Sequence, residues 1–214
     1  RWWQDRSREL SGQLLRSAHG RAFVTDVFLQ AVLKRNIDLS GALIAMLADR
    51  NASVAGAIVR LQIDSFVRLH YIMSLESPCE FVGRLLAGTE FRRMKSEDGK
   101  SLTDSYLVDF AAKNYPGIDT NYKTACGLIH LSQTHFWLHV ESINARRGEM
   151  SINMSYGCPS WDAQDIDALI AVYENLTGAI DSQISVWILE KNRRTGFVDK
   201  TVLVLSGIRW NSVR

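Results

Sequence analysis

The chain has 214 residues, of which 46% are hydrophobic and 22% charged, and its formal net charge is +2. This is the composition of an ordinary globular protein, which excludes a disordered chain and a disulfide-rich scaffold. The net charge is too small to indicate a nucleic-acid or membrane partner by itself. The apolar runs are much shorter than the ~20 residues that span a bilayer, so we expect no membrane segment.

The length favours a single domain over residues 1–214, with the N-terminal helix 1–20 and the segment 195–214 at its periphery. The three cysteines lie far apart without a Cys-x-x-Cys pair. We therefore expect no zinc knuckle, no disulfide framework and a cytoplasmic location. The first residue is Arg1 and no signal-peptide pattern follows, which indicates an excised or processed piece.

Helical periodicity dominates the N-terminal part of the sequence. An amphipathic helix is predicted over residues 5–18. Two further helices are predicted at 22–35 and 38–50, with a break at residues 36–37. The segment 53–75 has a broad apolar face and only a few charges, so we expect it to be the central helix of the domain.

A short helix and a loop follow. Ser77 is suited to cap a helix and Pro78 fits its first turn, so a short helix is predicted to start there. Residues 91–102 are polar and contain a glycine, which favours a loop. Arg92 and Arg93 make this loop the strongest local basic cluster.

Two more helices are predicted around the second proline of the chain. One covers residues 104–114 and ends at 115–117, because proline disfavours helical geometry in the residue before it. Asp119 or Thr120 then caps a helix over residues 121–133.

The hydrophobic period changes from helical to alternating after this helix. Apolar residues occupy every second position in 136–143 and again in 149–156, and the residues 144–148 between them are typical of a turn. The pattern predicts a β-hairpin over about residues 136–156.

A long helix is predicted over residues 163–193, whereas residues 195–214 fit a buried strand or a short helix equally well. The expected fold class is therefore mainly α, a helical bundle with a small inserted β-hairpin.

The helix at 121–133 carries the first candidate site. Residues seven apart on a helix are offset by only ~20°, so Lys123 and His130 are predicted to share one face. An ammonium and an imidazole at one point can stabilise phosphate charge and transfer a proton. The alternative is a buried histidine that bonds a neighbouring helix, with Lys123 in solvent.

A second candidate group lies on the central helix, where Arg60, Asp64 and Arg68 follow one another at intervals of four. If this ridge faces solvent, it contains only weak ion pairs. If it faces inward, the charges require partners. A meeting of the ridge with Lys123 and His130 would form a basic pocket suited to phosphate.

His135 and His139 do not predict a metal site. In a strand their side chains lie ~13 Å apart, and no third ligand is evident. P-loop, dinucleotide-binding, nucleophile-elbow and His-Glu-x-x-His motifs are absent from the sequence, so we expect no cofactor.

Three motifs carry a resemblance to a family of small helical bacterial proteins without an established activity. They are 60-RLQIDSFVR-68, 99-GKSLTDSYLV-108 and 122-YKTACGLIHLSQTH-135. More distantly, the helical layout resembles the HEPN superfamily, which implies a metal-independent ribonuclease of bacterial stress, toxin–antitoxin or anti-phage systems with paired protomers. The chain lacks that superfamily's Arg-x(4–6)-His motif, and Lys123 at the nearest equivalent position lacks the bidentate fork of arginine.

The HEPN-like interpretation assigns a role to each candidate. His130 is the expected general acid/base, Lys123 and Arg60 hold phosphate, and Asp64 orients Arg60 or His130. The expected substrate-binding residues are Arg68, Tyr122, Ser132, Arg92 and Arg93. The expected partners are RNA or a nucleotide and a second copy bound through apolar helices, or a partner subunit of a defence or toxin–antitoxin module. The competing hypothesis is a non-catalytic sensor or scaffold that binds a nucleotide or a partner protein through the same polar patch.

Overall fold

The computed structural model describes residues 1–130, 132–158 and 161–193. In these ranges the helices are α1 (Trp2–Arg16), α2 (Val24–Ala48), α3 (Ala52–Met73), α4 (Pro78–Leu86), α5 (Asp104–Ala112), α6 (Ile118–Ile129), α7 (Gln133–Trp137) and α8 (Ala163–Arg193). The strands β1 (Val140–Asn144) and β2 (Glu149–Ile152) form an antiparallel hairpin. The predicted mainly helical bundle with a small hairpin is confirmed.

Helix α3 lies at the centre of the bundle, as its sequence pattern predicts. It packs against α2, α5, α6 and α8. Ile63, Phe66, Leu69 and Ile72 on this helix are completely buried. The helix starts where Asn51 accepts a hydrogen bond from the backbone N–H of Val54, which satisfies a donor of the first turn.

The predicted break at residues 36–37 is wrong, because α2 runs without interruption from Val24 to Ala48. Asn36 has a low intrinsic helix propensity, but its side chain is buried among other helices. Its Nδ2 donates to Ser7 Oγ of α1 at 2.8 Å, and its Oδ1 accepts from Gln62 Nε2 of α3 at 2.8 Å. Thr177 of α8 lies 3.4 Å from the same oxygen. These tertiary bonds outweigh the local preference.

The loop between α4 and α5 has the predicted position but is anchored to the core. A 3-10 turn covers Phe91–Arg93, and Lys95 pairs with Ser101 as an isolated bridge. Phe91, Met94 and Leu102 are buried and hold this polar loop in place. Helix α5 starts where predicted, since Thr103 Oγ1 accepts from Tyr106 N.

The end of α6 differs from the prediction. The helix starts after Gly117, which adopts a left-handed conformation with φ 90°, and ends at Ile129. His130 is extended, with φ −86° and ψ 150°. Ser132 Oγ donates to the carbonyl of Gly127 at 2.6 Å, so the serine satisfies one of the terminal carbonyls and the helix does not continue to residue 133.

The hairpin is confirmed but is shorter than predicted. Residues 133–137 form a turn of helix, so Phe136 does not belong to the first strand. A segment of only five residues is too short for its hydrophobic period to distinguish a helix from a strand, which explains the error. The predicted helix 163–193 is confirmed as α8, whereas the structure proposed for 195–214 lies outside the described residues.

Buried charges join α8 to the N-terminal part of the bundle. Lys191 Nζ lies 2.7 Å from Asp26 Oδ2 and donates to the carbonyl of Leu14, and Trp187 Nε1 donates to Asp26 Oδ1 at 2.8 Å. Each polar group therefore has a partner, which a buried ion pair requires. Within the described ranges, none of the helices combines the length and hydropathy that a bilayer crossing requires.

Replacement of Asn36 by Ala is expected to reduce the free energy of unfolding by about 2–4 kcal/mol, because Ser7 and Gln62 lose a buried hydrogen-bond partner. Urea unfolding followed by circular dichroism measures this loss. The control is Asn175→Ala on the exposed surface of α8, which is expected to change stability by less than about 0.5 kcal/mol. Equal effects of the two substitutions would contradict a special role for Asn36.

Asp181 of α8 gives the bundle a pH-dependent contribution. Burial raises the pKa of this carboxyl from 3.8 to about 6, although the positive charge of Arg6 opposes the shift. Between about pH 4 and pH 6 the unfolded chain loses the Asp181 proton while the folded chain keeps it. Stability from this group is therefore present at low pH and lost as pH rises.

Asp181→Asn is accordingly expected to have little effect near pH 4 and to stabilise the protein by about 1–2 kcal/mol at pH 7. Urea unfolding of both proteins across this pH range tests the expectation. A difference between the two proteins that does not vary with pH would show that ionisation of Asp181 is not its cause.

Candidate functional site

The ridge predicted on α3 faces neighbouring elements of the bundle and has partners there. Arg60 and Arg68 have side chains that are only 12% and 29% exposed. Arg68 Nε donates to Asp64 Oδ1 at 2.7 Å, while Arg35 Nη2 lies 3.8 Å from Asp64 Oδ2. Asp64 therefore orients Arg68. The prediction was that Asp64 orients Arg60 or His130, and the described contacts of Asp64 include neither residue.

Asp104, the first residue of α5, connects the two arginines. Its Oδ2 accepts from Arg60 Nη2 at 3.0 Å and its Oδ1 accepts from Arg68 Nη2 at 2.9 Å. One carboxylate thus bridges two guanidinium groups that are two helical turns apart. Asp104 was not among the predicted site residues, because an aspartate in a first turn is already explained by the helix dipole.

Aromatic rings fix both guanidinium groups. The Arg60 guanidinium lies 4.1 Å from the ring centre of Tyr122 on α6 and donates to its hydroxyl at 3.0 Å. Arg68 lies 5.0 Å from the ring centre of Phe91. Such cation–π contacts reduce the freedom of an arginine head group. Of the predicted substrate-binding residues, Arg68 and Tyr122 therefore belong to one cluster with Arg60, Asp64 and Asp104.

The pKa of Arg60 reflects this environment. Burial lowers the pKa of its guanidinium, but interactions with Cys126 and Tyr122 raise it by more, so the net shift is upward. Burial raises the pKa of the Tyr122 phenol, and the Arg60 charge opposes only part of that shift. At neutral pH the arginine is therefore charged and the phenol keeps its proton.

The two predicted residues of α6 are both exposed to solvent. His130 is the C-cap residue of the helix, and its backbone N–H still donates to the carbonyl of Cys126 at 3.0 Å. Lys123 is 78% exposed and lies 3.6 Å from Asp119. In the described part of the chain, no hydrogen bond or ion pair joins His130 to the arginine–aspartate cluster. The common face of Lys123 and His130 stays a prediction, and no described contact joins it to the ridge on α3.

The remaining predicted site residues lie at the edge of this region or have structural contacts. Arg92 and Arg93 are exposed, and each approaches Glu90, at 2.7 Å and 3.6 Å. They follow Phe91 directly, which places them at the rim of the cluster. Ser132 is occupied by its bond to Gly127.

The two histidines after α6 are closer together than the strand prediction required. The rings of His135 and His139 lie 5.1 Å apart in an edge-to-face contact, because α7 is helical. Among the described residues, no group of three or more His, Cys, Asp or Glu side chains is arranged to hold a metal ion.

A groove lies between α6 and α8. Asn121, Thr124 and Leu128 of α6 line it, whereas Tyr122 and Cys126 of the same helix face Arg60. Cavities of about 350 Å³ and 290 Å³ share Asn121 and Val172 in their walls. At one end α6 approaches α3 so closely that a methyl group on Gly56 would overlap Leu128. The groove was not predicted, since a gap between helices leaves no local signal in the sequence.

The contacts within the cluster favour binding over proton transfer. The carboxylates of Asp64 and Asp104 both accept hydrogen bonds from guanidinium groups. Such pairing lowers the proton affinity that a general base needs. A carboxylate between two arginines also occupies the position that a phosphate would take. The cluster has a positive rim and a centre in which the charges are largely paired.

Asp104→Ala is expected to create an anion site from the two released guanidinium groups. Phosphate at 50 mM should then raise the thermal midpoint of the variant by several degrees above its value in chloride of equal ionic strength. The unsubstituted protein should show no such difference. Asp109→Ala, on the exposed side of the same helix, is the matched control and should behave like the unsubstituted protein. Phosphate stabilisation of the unsubstituted protein would mean that Asp104 does not occupy the site.

Comparison of the chain with protein-family models, with curated proteins and with solved structures gives no match. A function for the chain is therefore inferred from the geometry of its own residues.

Proposed function

We propose that the protein is a non-catalytic scaffold that binds a partner protein through the arginine–aspartate cluster of α3, α5 and α6. The observation that carries this proposal is the Asp104 carboxylate between Arg60 and Arg68, at 3.0 and 2.9 Å. Pre-paired arginines next to aromatic rings are typical of interface anchors, in which Arg and Tyr contribute much of the binding energy.

The arrangement of His130 favours this proposal over the HEPN-like ribonuclease. Cleavage of a phosphodiester needs an acid/base group within hydrogen-bond reach of the bound phosphate. Among the described residues, no hydrogen bond or ion pair joins His130 or Lys123 to the cluster that holds Arg60. The ribonuclease remains a prediction from the resemblance, as does membership of a bacterial stress, anti-phage or toxin–antitoxin module.

The rim of the cluster indicates the charge of the partner. Arg35, Arg92 and Arg93 are exposed around the paired centre. Their ion pairs with Asp64 and Glu90 are partly or wholly in solvent and therefore weak, so a partner can replace them at little cost. An acidic protein surface suits this rim. Such a surface would contact the outer arginines and leave Asp104 in place. A nucleotide phosphate at the centre would have to displace the Asp104 carboxylate.

Poly-L-glutamate is the test ligand for an acidic protein surface. We expect it to bind the protein in low-salt buffer, and we expect Arg92→Ala/Arg93→Ala to weaken binding about 3- to 10-fold. Isothermal titration calorimetry measures the affinity. ATP is titrated in parallel and is expected not to bind, because the central anion position is filled.

Arg146→Ala/Arg147→Ala is the matched control, since it removes an equally exposed arginine pair from the hairpin turn. It should leave poly-L-glutamate binding unchanged. The same preparations are incubated with single-stranded RNA. Metal-independent cleavage that His130→Ala abolishes without a change in thermal midpoint would overturn the proposal and support the ribonuclease.

A further inference from the structure

The groove between α6 and α8 is long and narrow. Its first cavity is lined by α8 between residues 165 and 172 and by α6 between residues 121 and 128. Its second cavity is lined by α8 between residues 172 and 179 and by the segment 114–121. The two helices therefore run antiparallel along the groove. At ~1.5 Å per residue, the stretch of α8 that lines it is about 21 Å long.

Helix α3 forms the floor of the groove. Both α6 and α8 pack against α3. Ala52, Gly56 and Val59 of α3 lie in the wall of the first cavity, and Phe66 lies in the wall of the second. All four residues are buried. Because the floor belongs to the central helix of the bundle, the groove is part of the folded structure before any ligand binds, as is usual for small-molecule sites.

The walls of the groove are mainly apolar. Leu128, Leu138, Leu169 and Val172 supply most of the large side chains around the first cavity. The volume of this cavity, about 350 Å³, lies within the range of roughly 300–1,000 Å³ that is typical of ligand sites. The second cavity continues it along α8. An apolar groove of this length and width suits an extended aliphatic chain better than a compact ring system.

Asp165 carries the only charge in the described walls of the two cavities. It lies with Trp161 at one end of the groove, whereas the polar groups at the other end, such as the amides of Asn114 and Asn175, are neutral. In the part of the chain that the structure describes, Asp165 forms no ion pair. The helix dipole favours an acid in the first turn of α8, but it supplies no counter-ion. The groove therefore has one negative end and an apolar length.

We propose that this groove binds a single-chain amphiphile with a cationic head group, such as a long-chain aliphatic amine. The aliphatic chain lies over α3 between α6 and α8, and the ammonium group lies next to the Asp165 carboxylate. This arrangement is complementary to the groove in both shape and charge. Tyr122 and Cys126 of α6 face Arg60 and do not line the groove. The site is thus separate from the arginine–aspartate cluster and does not depend on the partner proposed for it.

Decylammonium and decanoate test the head group, because they carry alkyl chains of similar length and opposite charges. Isothermal titration calorimetry is performed in low-salt buffer below the critical micelle concentration. Decylammonium is expected to bind about 3- to 10-fold more tightly than decanoate, since Asp165 attracts the first head group and repels the second. Asp165→Asn is expected to bring the two affinities within about 2-fold of each other.

Asp167→Asn is the matched control for the charge. Asp167 is exposed on the same helix but does not line either cavity, so the control is expected to keep the preference for decylammonium. Equal affinities of the unsubstituted protein for the two probes would overturn the cationic head group. The same conclusion would follow if the control lost the preference to the same extent as Asp165→Asn, because the effect would then come from the overall charge of the protein.

Substitutions that fill the groove test its location. Ala168 of α8 and Thr124 of α6 are exposed residues in the wall of the first cavity, so a larger side chain there replaces no core residue. Ala168→Trp and Thr124→Trp are each expected to weaken decylammonium binding at least about 10-fold, because the indole occupies the volume of the chain. Ala171→Trp adds the same side chain at an exposed position of α8 outside the wall and should bind normally. Thermal midpoints measured by circular dichroism show that the variants are folded. Undiminished binding to both groove variants, or no binding to the unsubstituted protein, would overturn the proposal.

Discussion

Asn36 lies where α1, α2, α3 and α8 approach one another, and its side-chain amide uses both of its polar atoms there. It donates to Ser7 and accepts from Gln62, and Thr177 is also within reach of its oxygen. Apolar packing alone permits several rotations of a helix about its own axis. A buried amide permits few of them, because its donor and its acceptor must both meet their partners. Gln62 therefore fixes the rotation of α3. Residues two positions away lie on the opposite side of a helix, so Arg60 and Asp64 point outward to α5, α6 and the rim.

The sequence predicted those elements whose stability is local. The apolar face of α3 and the proline that limits α5 each appear within a few residues, and the structure places both helices where expected. Asn36 shows the opposite case. Its bonding partners are 29, 26 and 141 residues away. No local pattern encodes them, so propensity alone predicted a break in a continuous helix.

The same difference explains how much of the candidate site was predictable. Spacing on one helix was sufficient to group Arg60, Asp64 and Arg68. The bonds of Asp104 to the two arginines depend on how α5 packs against α3, which the local sequence does not encode. An aspartate in the first turn of a helix also has a sufficient local explanation, so nothing marked it as a site residue. The predicted meeting of Lys123 and His130 with this ridge depended on how α6 packs against α3, which the spacing on one helix does not determine. The structure ends α6 four residues earlier than predicted, with His130 as its C-cap residue.

Asp104 also determines which ligands the arginines can bind. A free anion at the centre must compete with a carboxylate that is part of the same chain, whose effective concentration is in the millimolar range or above. A ligand that contacts the rim has no such competitor. Because Tyr122 and Phe91 already hold the Arg60 and Arg68 head groups, little side-chain freedom is lost on binding. The cluster is thus a rigid surface with exposed arginines around it, which favours an extended acidic partner over a single phosphate.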